Sequence, residues 1–174
     1  MFLCQMSGIP GTGKSTLARR ICELTNAVLL DVDVVKSAIM ASLDDDVEFK
    51  FVSKIAYDVI FSLASDNLKF GNSVVIDSPC SFDIILERGA ELANKHGASY
   101  KFAECHLEDL AEINRRRVAR EILPSQAYNM PIDEKQYHDS AGGLKRPAGG
   151  NYLWVNTSQG MDKYIKGVIE YLTK

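Results

Sequence analysis

Gly8-Ile9-Pro10-Gly11-Thr12-Gly13-Lys14-Ser15-Thr16 is the stretch on which the reading of this chain turns. It has the form G-x-x-x-x-G-K-S. Its glycines let the backbone wrap tightly and aim N–H groups at a chain of phosphates. At this spacing Lys14 reaches the β- and γ-phosphates, and the Ser15 hydroxyl ligates Mg²⁺. A helix expected from about Lys14 turns its positive end toward the same anion. Phosphate contacts are therefore expected from Gly8, Gly11, Thr12, Gly13, Lys14, Ser15 and Thr16. The alternative is a plain glycine turn, and the flanks argue against it. Phe2-Leu3-Cys4-Gln5-Met6 is short and mostly apolar, as a buried strand is. Leu17, Ala18, Ile21, Cys22 and Leu24 follow at helical spacing.

Working outward, 174 residues suit one domain with a substantial core. Hydrophobic residues at 46% and charged residues at 25% make an ordinary soluble composition. No apolar run approaches the roughly 20 residues of a membrane span. No basic segment precedes an apolar one at the N-terminus, so the expected location is the cytoplasm. Cys4, Cys22, Cys80 and Cys105 form no C-x-x-C pair and read as buried thiols. A net charge of −3 does not suit a protein that coats nucleic acid. A nucleic-acid end remains open as a substrate.

Further along, residues 27–32 and 73–77 read as strands, each ending in acid. A short helix over about 34–42 and a long one over about 47–70 lie between them, the second behind the acidic triplet 44–46. A helix over about 82–96, a strand over 100–107 and a helix over about 108–122 follow. Residues 124–150 hold three of the five prolines and four glycines, and read as an irregular lid. The strand 152–156 and a helix with Met161, Ile165, Val168, Ile169 and Leu172 on one face complete the chain. Strands alternating with helices imply a parallel sheet covered on both faces, with ligands beyond the strands' carboxyl ends.

Three features narrow the chemistry. Asp33 follows the second strand and opens a helix. It is the expected base for an acceptor hydroxyl, with Asp31 as rival and a simple helix cap as the alternative. Lys36, one turn on, shares that face and suits an anionic group on the acceptor. Asp77 ends the third strand, where an acid holds Mg²⁺ in phosphate-loop proteins. Arg116 and Arg120, four apart, are expected to close on the γ-phosphate, with Arg117 as competitor and a Glu112–Arg116 surface pair as the alternative. No N-K-x-D motif is present, which disfavours a GTPase switch, and His96, His106 and His138 are scattered.

The sequence resembles the small P-loop kinases of the AAA_33 and zeta-toxin-like group. These are relatives of polynucleotide 5′-hydroxyl kinases, chloramphenicol phosphotransferase, and gluconate and shikimate kinases. The residues that carry the resemblance are the phosphate loop, Asp33 with Lys36, the run 74–77, Arg116 with Arg120, and Lys145-Arg146-Pro147 before the run 152–158. The resemblance implies an α/β three-layer sandwich with a five-stranded parallel sheet in the order 2-3-1-4-5 and an arginine-bearing lid. It implies a single kinase domain over 1–174, with acceptor-side helices over about 34–70 and a lid region over about 115–150. It also implies an acceptor base at Asp33 and an adenine contact near Thr157 and Ser158. In polynucleotide kinases an arginine stands where Lys36 stands here, and lysine lacks its bidentate fork. The expected function is transfer of the γ-phosphoryl group from ATP, with Mg²⁺, to a hydroxyl of a small molecule, nucleoside or nucleic-acid 5′ end. The competing reading is a nucleotide-binding regulatory or interaction module.

Overall fold

The computed structural model describes residues 1–43, 47–126, 130–150 and 152–174. Five strands, β1 (Phe2–Ser7), β2 (Val28–Asp31), β3 (Val74–Asp77), β4 (Ser99–His106) and β5 (Leu153–Asn156), form one sheet. Its order is β2-β3-β1-β4-β5, and every pairing is parallel. This is the order the resemblance implies. The helices are α1 (Lys14–Thr25), α2 (Val32–Ala41), α3 (Phe49–Lys69), α4 (Asp83–Lys95), α5 (Leu110–Ala119), α6 (Glu134–Gly142) and α7 (Ile165–Thr173).

The period-two alternation of strands sorts the core into two layers. Leu3, Val74, Ile76 and Phe102 face α3 and α4 and pack on Ile60, Ala64, Leu68 and Ile85. Cys4, Met6, Val75, Ala103 and Val155 face α1 and α7 and pack on Leu17, Ile21, Val168 and Leu172. β1 is buried at all six positions, as a central parallel strand covered on both faces must be. A third cluster, Ile9, Leu107, Ile113 and Leu144, holds the phosphate loop against α5 and α6. Among the described residues no helix is long and apolar enough to cross a membrane.

The structure corrects the sequence reading at three places. The segment 124–150 is not simply irregular, because it contains α6. Asp133 caps that helix, and Gln136 returns a bond to the cap backbone. No residue of α6 is buried, so it lacked the apolar stripe by which a helix is recognised. Arg120 does not share a helix face with Arg116. α5 ends at Ala119, and Arg120 follows in extended backbone. The cap of α2 is Asp31, whose carboxylate accepts from the N–H groups of Asp33 and Val34; Asp33 lies inside the first turn. The acidic triplet 44–46 lies outside the described residues.

Candidate active site

The phosphate loop joins β1 to α1. At Gly8, φ is +133°, and a Cβ there would lie 2.6 Å from the Cys105 carbonyl oxygen. Only glycine fits a backbone so turned and so close to β4. Gly13, with φ +88°, caps α1 without a side-chain acceptor, so the helix's first N–H groups have no cap hydroxyl or carboxylate in front of them. Such a terminus favours an external anion. Thr12 faces inward. Its hydroxyl donates to the Ile9 carbonyl at 2.8 Å, and its own carbonyl accepts from the Thr157 hydroxyl at 2.7 Å. Thr157 also donates to the His106 carbonyl, tying the loop to the ends of β4 and β5. Expected as a neighbour of adenine, Thr157 is thus a buried brace of the loop.

Lys14, at the first position of α1, is ion-paired with Asp77 at the end of β3. Burial alone would push the ammonium down. Asp77 beside it, with Asp33 and Asp31 beyond, outweighs burial and holds Lys14 above the ordinary lysine value. Asp31 and Asp77 are register partners on adjacent strands. Burial, then the Asp77 charge, raises the Asp31 carboxyl, against the Asp33 N–H and Lys14, which lower it. Two carboxylates therefore sit at adjacent strand ends around one lysine. Among the described residues no group of three or more His, Cys, Asp or Glu gathers as a metal cage. Mg²⁺ is commonly held by one or two carboxylates plus substrate phosphates. The buried Asp77 carboxylate and the Ser15 hydroxyl, hard oxygen donors flanking the loop, fit that mode.

The acceptor side is built on the N-terminal turn of α2. Asp33 Oδ1 lies 4.0 Å from Lys36 Nζ. Lys36 is buried, its ammonium 5.5 Å from the Phe49 ring centroid and 5.4 Å from that of Tyr57. Burial pushes this ammonium down, Asp33 opposes that, and Lys14 adds to it. Asp33 Oδ2 accepts from the Gln126 amide at 2.8 Å. Ser125 donates to the Asp33 carbonyl and receives the Ser37 hydroxyl. Lys14, Asp77, Asp31, Asp33 and Lys36 thus form one electrostatic cluster.

The arginines divide differently from the sequence reading. Arg116 donates to Glu112 at 2.7 Å and to the Thr157 carbonyl at 3.3 Å. The expected surface pair exists, yet it also holds the guanidinium beside Gly13. Glu112 lies between Arg115 and Arg116, and their hydrogen bonds pull its carboxyl down to about 2. Arg117 is buried and donates to the carbonyls of Met130 and Pro10, so it ties the phosphate loop to the segment after α5.

Sequence reasoning missed Gln126, Ser125 and the pairing of Arg146 with Glu104. Arg146 makes two 2.7 Å bonds to the buried Glu104 carboxylate and lies 5.8 Å from the Trp154 ring. A cavity of about 440 Å³ adjoins it, between Ile9, Tyr137 and Trp154. Lys145-Arg146-Pro147 was the available signal. Nothing marked Glu104, a single acid within the strand read over 100–107. The four cysteines are free thiols, and burial pushes Cys105 and Cys80 up to about 12.

A phosphate loop after the first strand of a parallel 2-3-1-4-5 sheet defines a P-loop NTPase fold of the kinase group. The chain belongs to the AAA_33 family, whose profile, described as an AAA domain, matches residues 3–136. Solved structures agree on the fold. A provisionally assigned kinase from Chloroflexus aurantiacus is 22% identical, with 98% of each chain covered and a TM-score of 0.73. A sugar kinase from Janibacter is 15% identical, covering 99% of this chain and 95% of that one, with a TM-score of 0.68. The APS kinase CysC of Mycobacterium tuberculosis, in complex with AMPPNP and APS, is 15% identical, covers 99% and 98%, and has a TM-score of 0.64. No curated protein sequence matches the chain.

Proposed function

We propose that this chain is an ATP-dependent kinase that phosphorylates a hydroxyl group. The observation that carries the reading is the carboxylate of Asp33. Its charge acts on Lys14 alongside that of Asp77, and it lies 4.0 Å from the ammonium of the buried Lys36. A module that only binds nucleotide has no use for such a pair. ATP lies with its phosphates in the loop, and Lys14 leaves Asp77 for the β- and γ-oxygens. Mg²⁺, held through Ser15 and Asp77, would neutralise charge on those oxygens. Asp33 Oδ1 takes the proton of the acceptor hydroxyl as its oxygen bonds to the γ-phosphorus. The bond from that phosphorus to the β–γ bridging oxygen breaks, and ADP leaves. A base of this kind contributes about 10²- to 10⁴-fold. Arg116, beside Gly13, would meet the charge that spreads over the γ-oxygens. Arg120, which follows α5 in extended backbone, is the second arginine of the lid in this reading.

Lys36 narrows the acceptor to one with an anionic group near its hydroxyl. A compact ammonium suits a carboxylate or a single phosphate or sulfate better than it grips a nucleic-acid backbone. A polynucleotide 5′ end is thus the less favoured acceptor, and small sugar acids and nucleotides head the series. The region 115–150 is the lid in this reading, fastened by Arg117 and Arg146. γ-Labelled ATP offered with sugars, sugar acids, nucleosides, nucleotides and a 5′-hydroxyl oligonucleotide tests it. The expected result is a labelled product with at least one acceptor, and less labelled inorganic phosphate as closure excludes water. Tight ATP binding with no product from any class would favour the regulatory module.

A further inference from the structure

Asp33 has two oxygens, and the structure treats them differently. Oδ2 accepts from the Gln126 amide at 2.8 Å, whereas Oδ1 faces Lys36 Nζ at 4.0 Å. The orientation of the Gln126 amide is fixed by its other end. Its carbonyl oxygen accepts from the Leu123 N–H at 3.4 Å, so the amide N–H₂ is the end left for Asp33. The backbone that carries Gln126 is itself anchored. The Ser125 N–H donates to the Ser37 hydroxyl at 3.1 Å, and the Ser125 hydroxyl to the Asp33 carbonyl at 2.9 Å. Ser37 also donates to the Asp33 carbonyl at 2.7 Å, which closes a small network around the first turn of α2. Ser37 and Ser125 are both buried.

We infer that Gln126 is a positioning residue for the base, and that it assigns Asp33 Oδ1 to the acceptor proton. The inference rests on the proposed kinase reading. Gln126 does not touch the reacting atoms. It acts by holding the carboxylate plane, because a carboxylate with one oxygen fixed presents the other in one direction. Free rotation about the Asp33 side chain would spread Oδ1 over positions from which in-line transfer fails. Misplacement of a reacting group by about 1 Å can cost roughly 10²-fold. The donor is a neutral amide, which matters as well. It fixes one oxygen without setting a second cation against a carboxylate that already faces Lys36.

Water, the smallest hydroxyl acceptor, allows a test before any natural acceptor is found. Mg-ATP hydrolysis is measured for the unaltered chain, Gln126→Leu, Gln126→Glu, Asp33→Asn and the double variant Gln126→Leu/Asp33→Asn. Leu keeps the bulk and removes the donor; Glu keeps the shape and sets an acceptor against an acceptor. Both should lower kcat by about 10- to 100-fold. KM for Mg-ATP and the melting temperature should stay where they are. The double variant should be no slower than Asp33→Asn alone, because a residue that acts through another has nothing left to position. Multiplying losses in the double variant, an unchanged kcat, or a loss that tracks melting temperature overturns the inference. If Asp33→Asn is slow and Gln126→Leu is not, only this inference fails. If Asp33→Asn hydrolyses at full rate, the base itself is lost and the inference falls with it.

Discussion

The phosphate loop takes its shape from nine consecutive residues, whereas the acceptor side is assembled from two stretches about ninety positions apart. Gly8 and Gly13 adopt positive φ values that favour glycine, and within the loop Thr12 donates to Ile9, while Thr157 and Arg117 only brace a shape already set. Across the cleft, Asp33 and Ser37 come from α2, and the partners that orient them, Ser125 and Gln126, come from beyond α5. The first region is local backbone geometry. The second is tertiary pairing of side chains. A local device survives in isolation in the sequence, while a paired one is visible only when both halves have been brought together.

Removing Lys14 should give the largest effect, and it acts first on the phosphate-loop side. Lys14→Ala deletes the charge aimed at the β- and γ-phosphates, and turnover should fall by about 10²- to 10³-fold, as for loss of one preorganised donor. Calorimetry should show weaker Mg-ATP binding in parallel. The variant also leaves the buried Asp77 carboxylate without its ammonium, so it should lose stability. Lys14→Ala/Asp77→Asn separates the two consequences: stability should recover and turnover should not. Unchanged affinity in a folded Lys14→Ala chain would break the comparison at its firmer end.

A smaller effect sharpens the other side. Asp31, not Asp33, caps α2, so Asp31→Ala should destabilise by about 1 kcal/mol and Asp31→Asn by much less. The pH dependence follows from the raised Asp31 carboxyl. Between its unfolded value, about 3.9, and its higher folded value, the native state binds more protons than the unfolded state. Stability from this group is therefore full below the unfolded value and falls as pH rises through the folded one. Asn does not titrate, so the melting temperature of Asp31→Asn should gain on the unaltered chain as pH rises from 3 to 7. A constant gap across that range would mean that burial and Asp77 do not act on Asp31.

The same contrast accounts for what the sequence disclosed. Strand, glycine loop and helix stand in order along the chain, so the fold could be read outward from Lys14. Asp33 and Lys36 were recognisable because one helical turn relates them. Gln126 carries no such marker, since a lone glutamine in a Pro-rich stretch looks like solvated loop, and its partner is in another element. Arg117 was hidden for a related reason. Helical spacing pairs Arg116 with Arg120, yet α5 ends between them, and burial selects the intervening arginine to hold Pro10. α6 escaped notice because only Tyr137 and Ala141 pack on the core, both partly buried and too few to show as an apolar stripe.

Asp33 is the proposed base, and nucleotide binding alone does not need it. Asp33→Asn is nearly isosteric, its carbonyl can still accept from Gln126, and the helix cap at Asp31 is untouched. Mg-ATP affinity and γ-phosphoryl transfer should be measured on the same preparation, with Asp31→Asn alongside. The predicted result is unchanged affinity and melting temperature with transfer reduced by about 10²-fold or more. Transfer at the unaltered rate in Asp33→Asn, with the loss appearing in Asp31→Asn instead, would contradict it.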